Sequence, residues 1–132
     1  MRKKITDAGG FVKTYSCDIT EYAANDKLAK DVLKEFGHVD VLINNAGRSI
    51  RRSLALSYDR FHDFERTMQL NYFACVRLTM NLLPSMTARK NGHVINVSSI
   101  GVLTNAPRFS AYVASKAALE SFARCAASEF HD

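Results

Sequence analysis

Three short apolar stretches, each followed by polar or small residues, constrain the fold of this chain more than any other feature. The stretches are 11–17, 39–43 and 93–97, and helical patterns separate them. Short apolar strands that alternate with helices are typical of a parallel α/β sheet, whose ligands gather where the strands end. The sequence therefore predicts an α/β fold with a site at the carboxyl ends of three parallel strands.

Four segments carry a helical pattern, in which apolar side chains recur on one face and glycine or a turn follows the last residue. These segments are 1–8, 20–36, 58–90 and 110–130. Right-handed crossovers between parallel strands would place the last three helices on one face of the sheet. We therefore expect apolar side chains on the opposite face to be bare.

Tyr112 and Lys116 lie four residues apart in the last of these segments, so a helix places them on one face. A nearby ammonium favours the ionised form of a phenol, which makes Tyr112 a candidate acid or base. Ser99 lies at the end of a predicted strand, thirteen residues before the tyrosine. Taken alone, a tyrosine and a lysine at this spacing are more often ordinary helix surface.

Polar or small residues follow the other two strands as well. Asp18 follows the first, where the alternative is that it caps the next turn. Asn45, Ala46 and Gly47 follow the second; small residues let a ring approach the backbone, although Asn-Ala-Gly is also a common turn sequence. Asn71 lies inside the helical segment 58–90, where its side chain competes for backbone hydrogen bonds. A residue that fits a helix so poorly suggests a function.

The formal net charge of the 132 residues is +5, yet the basic residues are scattered and mixed with acids, so we expect no nucleic-acid partner. The densest basic cluster contains Arg48, Arg51 and Arg52. It is either a solvated loop or a contact for the phosphates of a cofactor or of acyl-CoA.

Three cysteines lie far apart, with no Cys-x-x-Cys pair and no histidine at ligand spacing, so no metal site is expected. The sequence shows no signal-peptide pattern and no apolar run long enough to cross a bilayer. We expect a cytoplasmic protein, with peripheral membrane association as the alternative.

In order and spacing, these motifs resemble those of the short-chain dehydrogenase/reductase family over nearly the whole chain. The motifs are Cys17-Asp18-Ile19-Thr20, Asn44-Asn45-Ala46-Gly47, Asn71, Val94-Ile95-Asn96-Val97-Ser98-Ser99 and Tyr112-x-x-x-Lys116. Similarity across 44–72 and 108–112 extends to the bacterial fatty acyl-CoA reductase branch. The resemblance implies NAD(P)-dependent reduction of a small-molecule carbonyl substrate, a fatty acyl-CoA or a fatty aldehyde, with NADP(H) favoured over NAD(H).

The resemblance also implies a role for each motif. Tyr112 would donate the proton, Ser99 would hydrogen-bond the carbonyl oxygen, and Lys116 would hold the ribose and favour the phenolate. Asn71 would distort its helix and complete a proton relay. The implied catalytic residues are Asn71, Ser99, Tyr112 and Lys116. The implied cofactor contacts are Asp18, Ile19, Asn45, Ala46, Gly47, Tyr112 and Lys116.

Two parts of the complete family pattern are missing: the glycine-rich turn that holds a pyrophosphate, and the loop that closes over the substrate. We therefore expect 1–132 to be the central part of an NAD(P)-binding domain, an incomplete Rossmann-type doubly wound fold with three parallel strands and helices mainly on one face. The resemblance implies a homodimer or homotetramer formed through 58–90 and 110–130. The alternative function is an inactive fragment that docks through the same helices.

Overall fold

The computed structural model describes residues 2–130 and shows a partial α/β fold. The helices are α1 (Arg2–Asp7), α2 (Tyr22–Phe36), α3 (Phe61–Met68), α4 (Cys75–Arg89), α5 (Gly101–Thr104) and α6 (Ser110–Glu129). The strands are β1 (Val41–Asn44) and β2 (His93–Asn96), and a 3-10 turn spans Leu54–Leu56. A π-helical turn, Gln69–Ala74, joins α3 to α4. The four predicted helical segments are confirmed within the described residues, whereas α5 and the 3-10 turn were not predicted.

The sheet of the described residues consists of β1 and β2, which pair in parallel with Val41 opposite His93 and Asn44 opposite Asn96. The prediction of a third strand at 11–17 is wrong. A strand requires a hydrogen-bonded neighbour. In the doubly wound order, other strands separate this stretch from β1, so no partner edge lies beside it.

The stretch 11–17 instead packs along the carboxyl-terminal end of α2. The rings of Phe11 and Phe36 meet edge to face, with their centroids 6.1 Å apart. The Tyr15 hydroxyl donates a hydrogen bond to the Glu35 carboxylate at 2.6 Å, and Lys13 forms an ion pair with the same carboxylate. These contacts attach the segment to the helix without any sheet pairing.

The hydrophobic core lies between the sheet and the helices on one face. It contains Ala29 of α2, Leu42 of β1, and Leu82 and Met86 of α4. On the other face of β1, Val41 is 50% exposed and Ile43 58% exposed. The prediction of one covered face and one bare apolar face is therefore confirmed.

Buried amides hold the carboxyl ends of the two strands together. Asn44, which ends β1, is 5% exposed, and its side-chain nitrogen donates to Asn96 Oδ1 at 2.8 Å and to Thr79 Oγ1 at 3.1 Å. The first bond joins the last residues of β1 and β2, and the second attaches them to α4. This arrangement fixes the sheet edge at which the candidate site is built.

Candidate active site

Lys116 is buried in the site rather than exposed on a helix surface. It lies on α6, is 3% exposed, and its ammonium donates a hydrogen bond to the carbonyl oxygen of Val97 at 2.7 Å. No carboxylate among residues 2–130 forms an ion pair with it. A buried cation without a counter-charge is costly to desolvate, and such groups concentrate at functional sites. The surface interpretation of the Tyr-x-x-x-Lys spacing is therefore wrong for the lysine.

Asn71 lies fully buried in the π-helical turn, and the expected distortion of its helix is confirmed. Its Oδ1 accepts a hydrogen bond from the Arg48 amide at 2.8 Å, and its Nδ2 donates to the Arg48 carbonyl at 2.8 Å. Nδ2 also donates to Ser115 Oγ at 2.9 Å. One side chain thus joins the loop after β1 to α6, beside Lys116.

Gly47 lies next to the side chains of Asn71 and Lys116. A Cβ added at this glycine would lie 3.3 Å from Asn71 Oδ1 and 3.5 Å from the Lys116 ammonium. The structure therefore brings Gly47, Asn71 and Lys116 together around one small space, and a side chain at position 47 would occupy it. Asn45 and Ala46 are exposed directly after β1.

Ser99 lies just after β2 and before α5. Its hydroxyl oxygen accepts a hydrogen bond from the Gly101 amide at 3.1 Å. Its own O–H donates to no acceptor among residues 2–130, so it is available to a ligand. The neighbouring Ser98 hydroxyl, by contrast, donates to Glu120 at 3.2 Å and is engaged away from this position.

Gly101 also brings α5 against α6 beside Tyr112. A Cβ at Gly101 would lie 3.3 Å from Ser99 Oγ and 3.1 Å from the side chain of Val113, the residue after the tyrosine. Tyr112 is half-buried, and its hydroxyl has no hydrogen-bond partner within the described part of the chain. Within the described residues, the hydroxyls of Tyr112 and Ser99 thus both keep an unused donor.

Asp18 caps the turn that follows it. Its Oδ1 accepts hydrogen bonds from the Thr20 amide at 2.9 Å and the Thr20 hydroxyl at 2.7 Å. These bonds, with a smaller contribution from the charge of Arg48, lower the pKa of Asp18 from its ordinary value. The capping interpretation is confirmed for this oxygen, and Oδ2 accepts no hydrogen bond from residues 2–130.

One arginine of the cluster after β1, Arg52, is held by a buried carboxylate. Arg52 pairs with the buried carboxylate of Asp63 at 3.2 Å, and Arg60 pairs with it at 3.1 Å. Burial acts to raise the pKa of Asp63, but Arg60, His62 and Arg52 outweigh it and hold that pKa below its usual range. Arg52 therefore anchors the loop and is not free to bind a phosphate.

Three polar residues with side-chain hydrogen bonds to these segments were not predicted as site residues: Asn25, Asn96 and Ser115. Ser115 accepts the Asn71 hydrogen bond and donates to the Tyr112 carbonyl at 2.7 Å. Asn25 is fully buried on α2. The sequence signal for Asn25 is that an amide residue stands at a position of α2 where the helical pattern faces the core.

No cluster of metal-ligating side chains occurs among the described residues. Within the same residues no helix is long and apolar enough to cross a membrane. The described residues therefore supply two hydroxyls with unused donors, on Ser99 and Tyr112, a buried ammonium on Lys116 and a small space beside Gly47. These groups can donate protons and hydrogen bonds to an oxygen atom and can accommodate a flat ring or sugar.

Comparisons with known proteins agree with this geometry. The family model described as short chain dehydrogenase matches residues 1–132. A fatty acyl-CoA reductase of Acinetobacter baylyi is 60% identical over 129 residues, which cover 98% of this chain and 44% of that protein. The chain thus spans less than half the length of this relative.

Solved structures give the same result. A metagenomic short-chain oxidoreductase in complex with NADP superposes with a TM-score of 0.92 at 31% identity, over 98% of this chain and 58% of that one. A xylitol dehydrogenase bound to NAD+ superposes with a TM-score of 0.86 at 25% identity, over 99% of this chain and 53% of that one.

The fold belongs to the Rossmann-like α/β class. The family match over the whole chain makes the assignment specific, and the chain belongs to the short-chain dehydrogenase/reductase family. The expected family and fold class are therefore confirmed.

Proposed function

We propose that this chain carries the catalytic centre of an NADP(H)-dependent reductase that acts on fatty acyl-CoA or fatty aldehyde. The observation that carries the proposal is the buried Lys116 ammonium, bonded to the Val97 carbonyl beside Asn71 and Gly47. The relative of Acinetobacter baylyi, described as a fatty acyl-CoA reductase, supports the substrate class. The preference for NADP(H) over NAD(H) follows from the same likeness.

Several residues of this chain fit a bound dinucleotide. A Cβ at Gly47 would fill the space beside Lys116, so the glycine leaves room for the nicotinamide riboside, with Asn45 and Ala46 next to it. Lys116 would hold the ribose hydroxyls. Asp18, with its unused Oδ2, and Ile19 would contact the adenine ring. When bound, the cofactor supplies the hydride.

The remaining chemistry belongs to the side chains. Tyr112 donates the proton to the carbonyl oxygen, and Ser99 donates a hydrogen bond to the same oxygen. The loss of one such donor typically lowers the rate by about 100-fold or more. Lys116 stabilises the phenolate after transfer, and Asn71 completes the relay that returns a proton.

The test uses a chimera, because the chain spans 44% of its reductase relative. Residues 1–132 replace the matching segment of the Acinetobacter baylyi protein, and NADPH oxidation is followed with acyl-CoA and aldehyde substrates. Tyr112→Phe should lower kcat by about 100-fold or more while the Kd for NADPH stays within about twofold. The control is Tyr58→Phe, at a tyrosine that is 87% exposed. An unchanged kcat in the Tyr112 variant would refute the assignment.

The acyl-CoA part of the proposal rests on two exposed arginines, Arg51 and Arg108, that have no ion-pair partner among residues 2–130. The Arg52 amide donates to the Arg108 carbonyl at 2.7 Å, which brings the loop after β1 to the start of α6. Exposed arginines beside the site can bind the phosphates of coenzyme A. Arg48 lies on the same loop, near Asp18.

A comparison of acyl-CoA, which carries phosphates, with the free aldehyde, which carries none, separates phosphate binding from catalysis. The Arg51→Ala, Arg108→Ala double variant should raise KM for acyl-CoA by about tenfold and leave KM for the free aldehyde unchanged. Arg66→Ala on α3 is the matched control, since that arginine is exposed and also lacks an ion-pair partner within residues 2–130. Equal changes in KM for both substrates would contradict phosphate recognition.

We also propose that the long helices assemble the reductase into a dimer or tetramer. Phe73 is 45% exposed and Met80 is 56% exposed on the helical run that ends with α4. Apolar side chains exposed on one helix favour association. A Phe73→Glu, Met80→Glu variant of the chimera should shift its mass in light scattering toward the monomer. An unchanged mass would refute this interface.

A further inference from the structure

Asn25 is the one buried side chain in the described residues with an unsatisfied hydrogen-bonding atom. It lies on α2, is 0% exposed, and its Oδ1 has no hydrogen-bond partner among residues 2–130. Its Nδ2 donates to the Ile19 carbonyl and to the Ala74 carbonyl, both at 3.0 Å. Both neighbours are acceptors, so the amide orientation is fixed by its two donors. An orphaned buried oxygen is unfavourable, and packing alone would be better served by an apolar residue.

The two acceptors belong to different segments of the chain, and both lie 3.0 Å from the same nitrogen. Ile19 follows Asp18 in the turn before α2. Ala74 ends the π-helical turn, in which amides bond to the carbonyl five residues earlier instead of four. At the same end of the turn, Cys75 Sγ contacts the Leu70 carbonyl at 3.6 Å. From the neighbouring helix α2, the Asn25 side chain donates a hydrogen bond to the Ala74 carbonyl.

The packing of α2 on α4 fixes the position from which the Asn25 side chain reaches the π-helical turn. Asp26, the next residue, forms two hydrogen bonds of 2.7 Å with the Arg77 guanidinium, and Asn81 donates to the same carboxylate at 2.8 Å. The Arg77 guanidinium also lies over the Tyr22 ring, 4.6 Å from its centroid. Asn25 is therefore held against the end of the π-helical turn.

We propose that Asn25 is a positioning residue: it secures the π-helical turn to the Asp18–Ile19 turn and thereby holds Asn71 against Arg48. Asn71 precedes Ala74 by three residues, so a shift of that end of the turn moves Asn71 relative to the loop. Its two 2.8 Å bonds to the Arg48 backbone are directional and weaken steeply when the angle changes. The inference rests on the proposed reductase function only for its kinetic consequence.

A nearly isosteric variant separates positioning from stability. Asn25→Leu removes the orphaned oxygen but also leaves the Ile19 and Ala74 carbonyls without this donor, so its two effects on the free energy of unfolding oppose each other. Urea denaturation of the chimera shows whether the variant remains folded. The exchange of the Arg48 amide hydrogen, followed by NMR without cofactor, should accelerate by about tenfold, since this amide donates to Asn71. Asn25→Ala is the second variant if the leucine variant does not fold.

Kinetics then test whether the effect passes through Asn71. The Asn25 variant should lower kcat by about tenfold in the parent chimera but by less than about twofold in an Asn71→Ala background, because residues that act as one unit are not additive. Thr67→Val is the matched control: its hydroxyl is equally buried but donates only to the Asp63 carbonyl of its own helix, at 2.6 Å. It should change neither Arg48 exchange nor kcat.

Two results would overturn the proposal. One is unchanged exchange of the Arg48 amide in both Asn25 variants. The other is an equal loss of kcat in the parent and Asn71→Ala backgrounds, which would show that Asn25 acts elsewhere. A chimera without reductase activity would refute the proposed function, while the exchange measurement would still decide the role of Asn25.

Discussion

Replacement of Lys116 by methionine tests whether this residue is held in place for chemistry at a cost in stability. The buried ammonium forms a hydrogen bond with the Val97 carbonyl and no ion pair within residues 2–130. A hydrogen bond to a charged group contributes about 1.5–3 kcal/mol. Desolvation of a buried ion opposes this by several kcal/mol, on the order of 3 or more. Methionine fills a similar volume with an unbranched, adaptable side chain.

The two contributions therefore nearly cancel. We expect Lys116→Met to leave the free energy of unfolding unchanged or to raise it by up to about 2 kcal/mol. In the proposed mechanism, activity should nevertheless fall by about 100-fold or more, because Lys116 no longer holds the ribose or stabilises the charge left on Tyr112.

Urea denaturation of the chimera, extrapolated linearly to water, measures the stability, and NADPH oxidation measures the activity. Lys27→Met on α2 is the control, since the Lys27 side chain is 75% exposed and pairs only with Asp31 of its own helix. Its effect on stability should stay within about 0.5 kcal/mol. A loss of more than about 2 kcal/mol in the Lys116 variant would show that the lysine is a structural anchor, and that its hydrogen bond outweighs the cost of desolvation.

Three further predictions use other parts of the chain. The Arg77 guanidinium lowers the pKa of Asp26 from 3.8 to about 2. The ionised Asp26 therefore contributes its full stabilisation above pH 3.8 and loses it as the pH falls toward 2, and Asp26→Asn should remove this loss of melting temperature at acid pH, measured by thermal melts at several pH values. Gly92→Ala would place a Cβ 2.5 Å from a side-chain carbon of α4, so urea denaturation should show a loss of about 1–3 kcal/mol. Burial raises the pKa of the Cys75 thiol, so a thiol reagent should modify exposed Cys125 first, and equal rates would contradict the burial.

Local patterns in the sequence were sufficient for the helices and for the edge of the sheet that carries the site. The spacing of apolar residues predicted 20–36 and 110–130, because a helix repeats every 3.6 residues and its pattern is contained within the segment. The misfit of Asn71 indicated a functional position, and the family resemblance implied a distorted helix; the structure shows a π-helical turn there. The same reasoning failed for 11–17, whose β-prone composition says nothing about whether a partner strand lies beside it.

What the sequence alone determined is the order of the elements and the residue types at the strand ends, since both follow from short-range periodicity and from turn-forming residues. Three features came from tertiary packing instead: Lys116 is buried with no counter-charge within residues 2–130, Arg52 is paired with Asp63, and the Asn25 amide reaches a carbonyl 49 residues away. Burial, ion pairing and long-range hydrogen bonds depend on which surfaces meet. That information lies in the packing of α2, α4 and α6, not in the local pattern of any one of them.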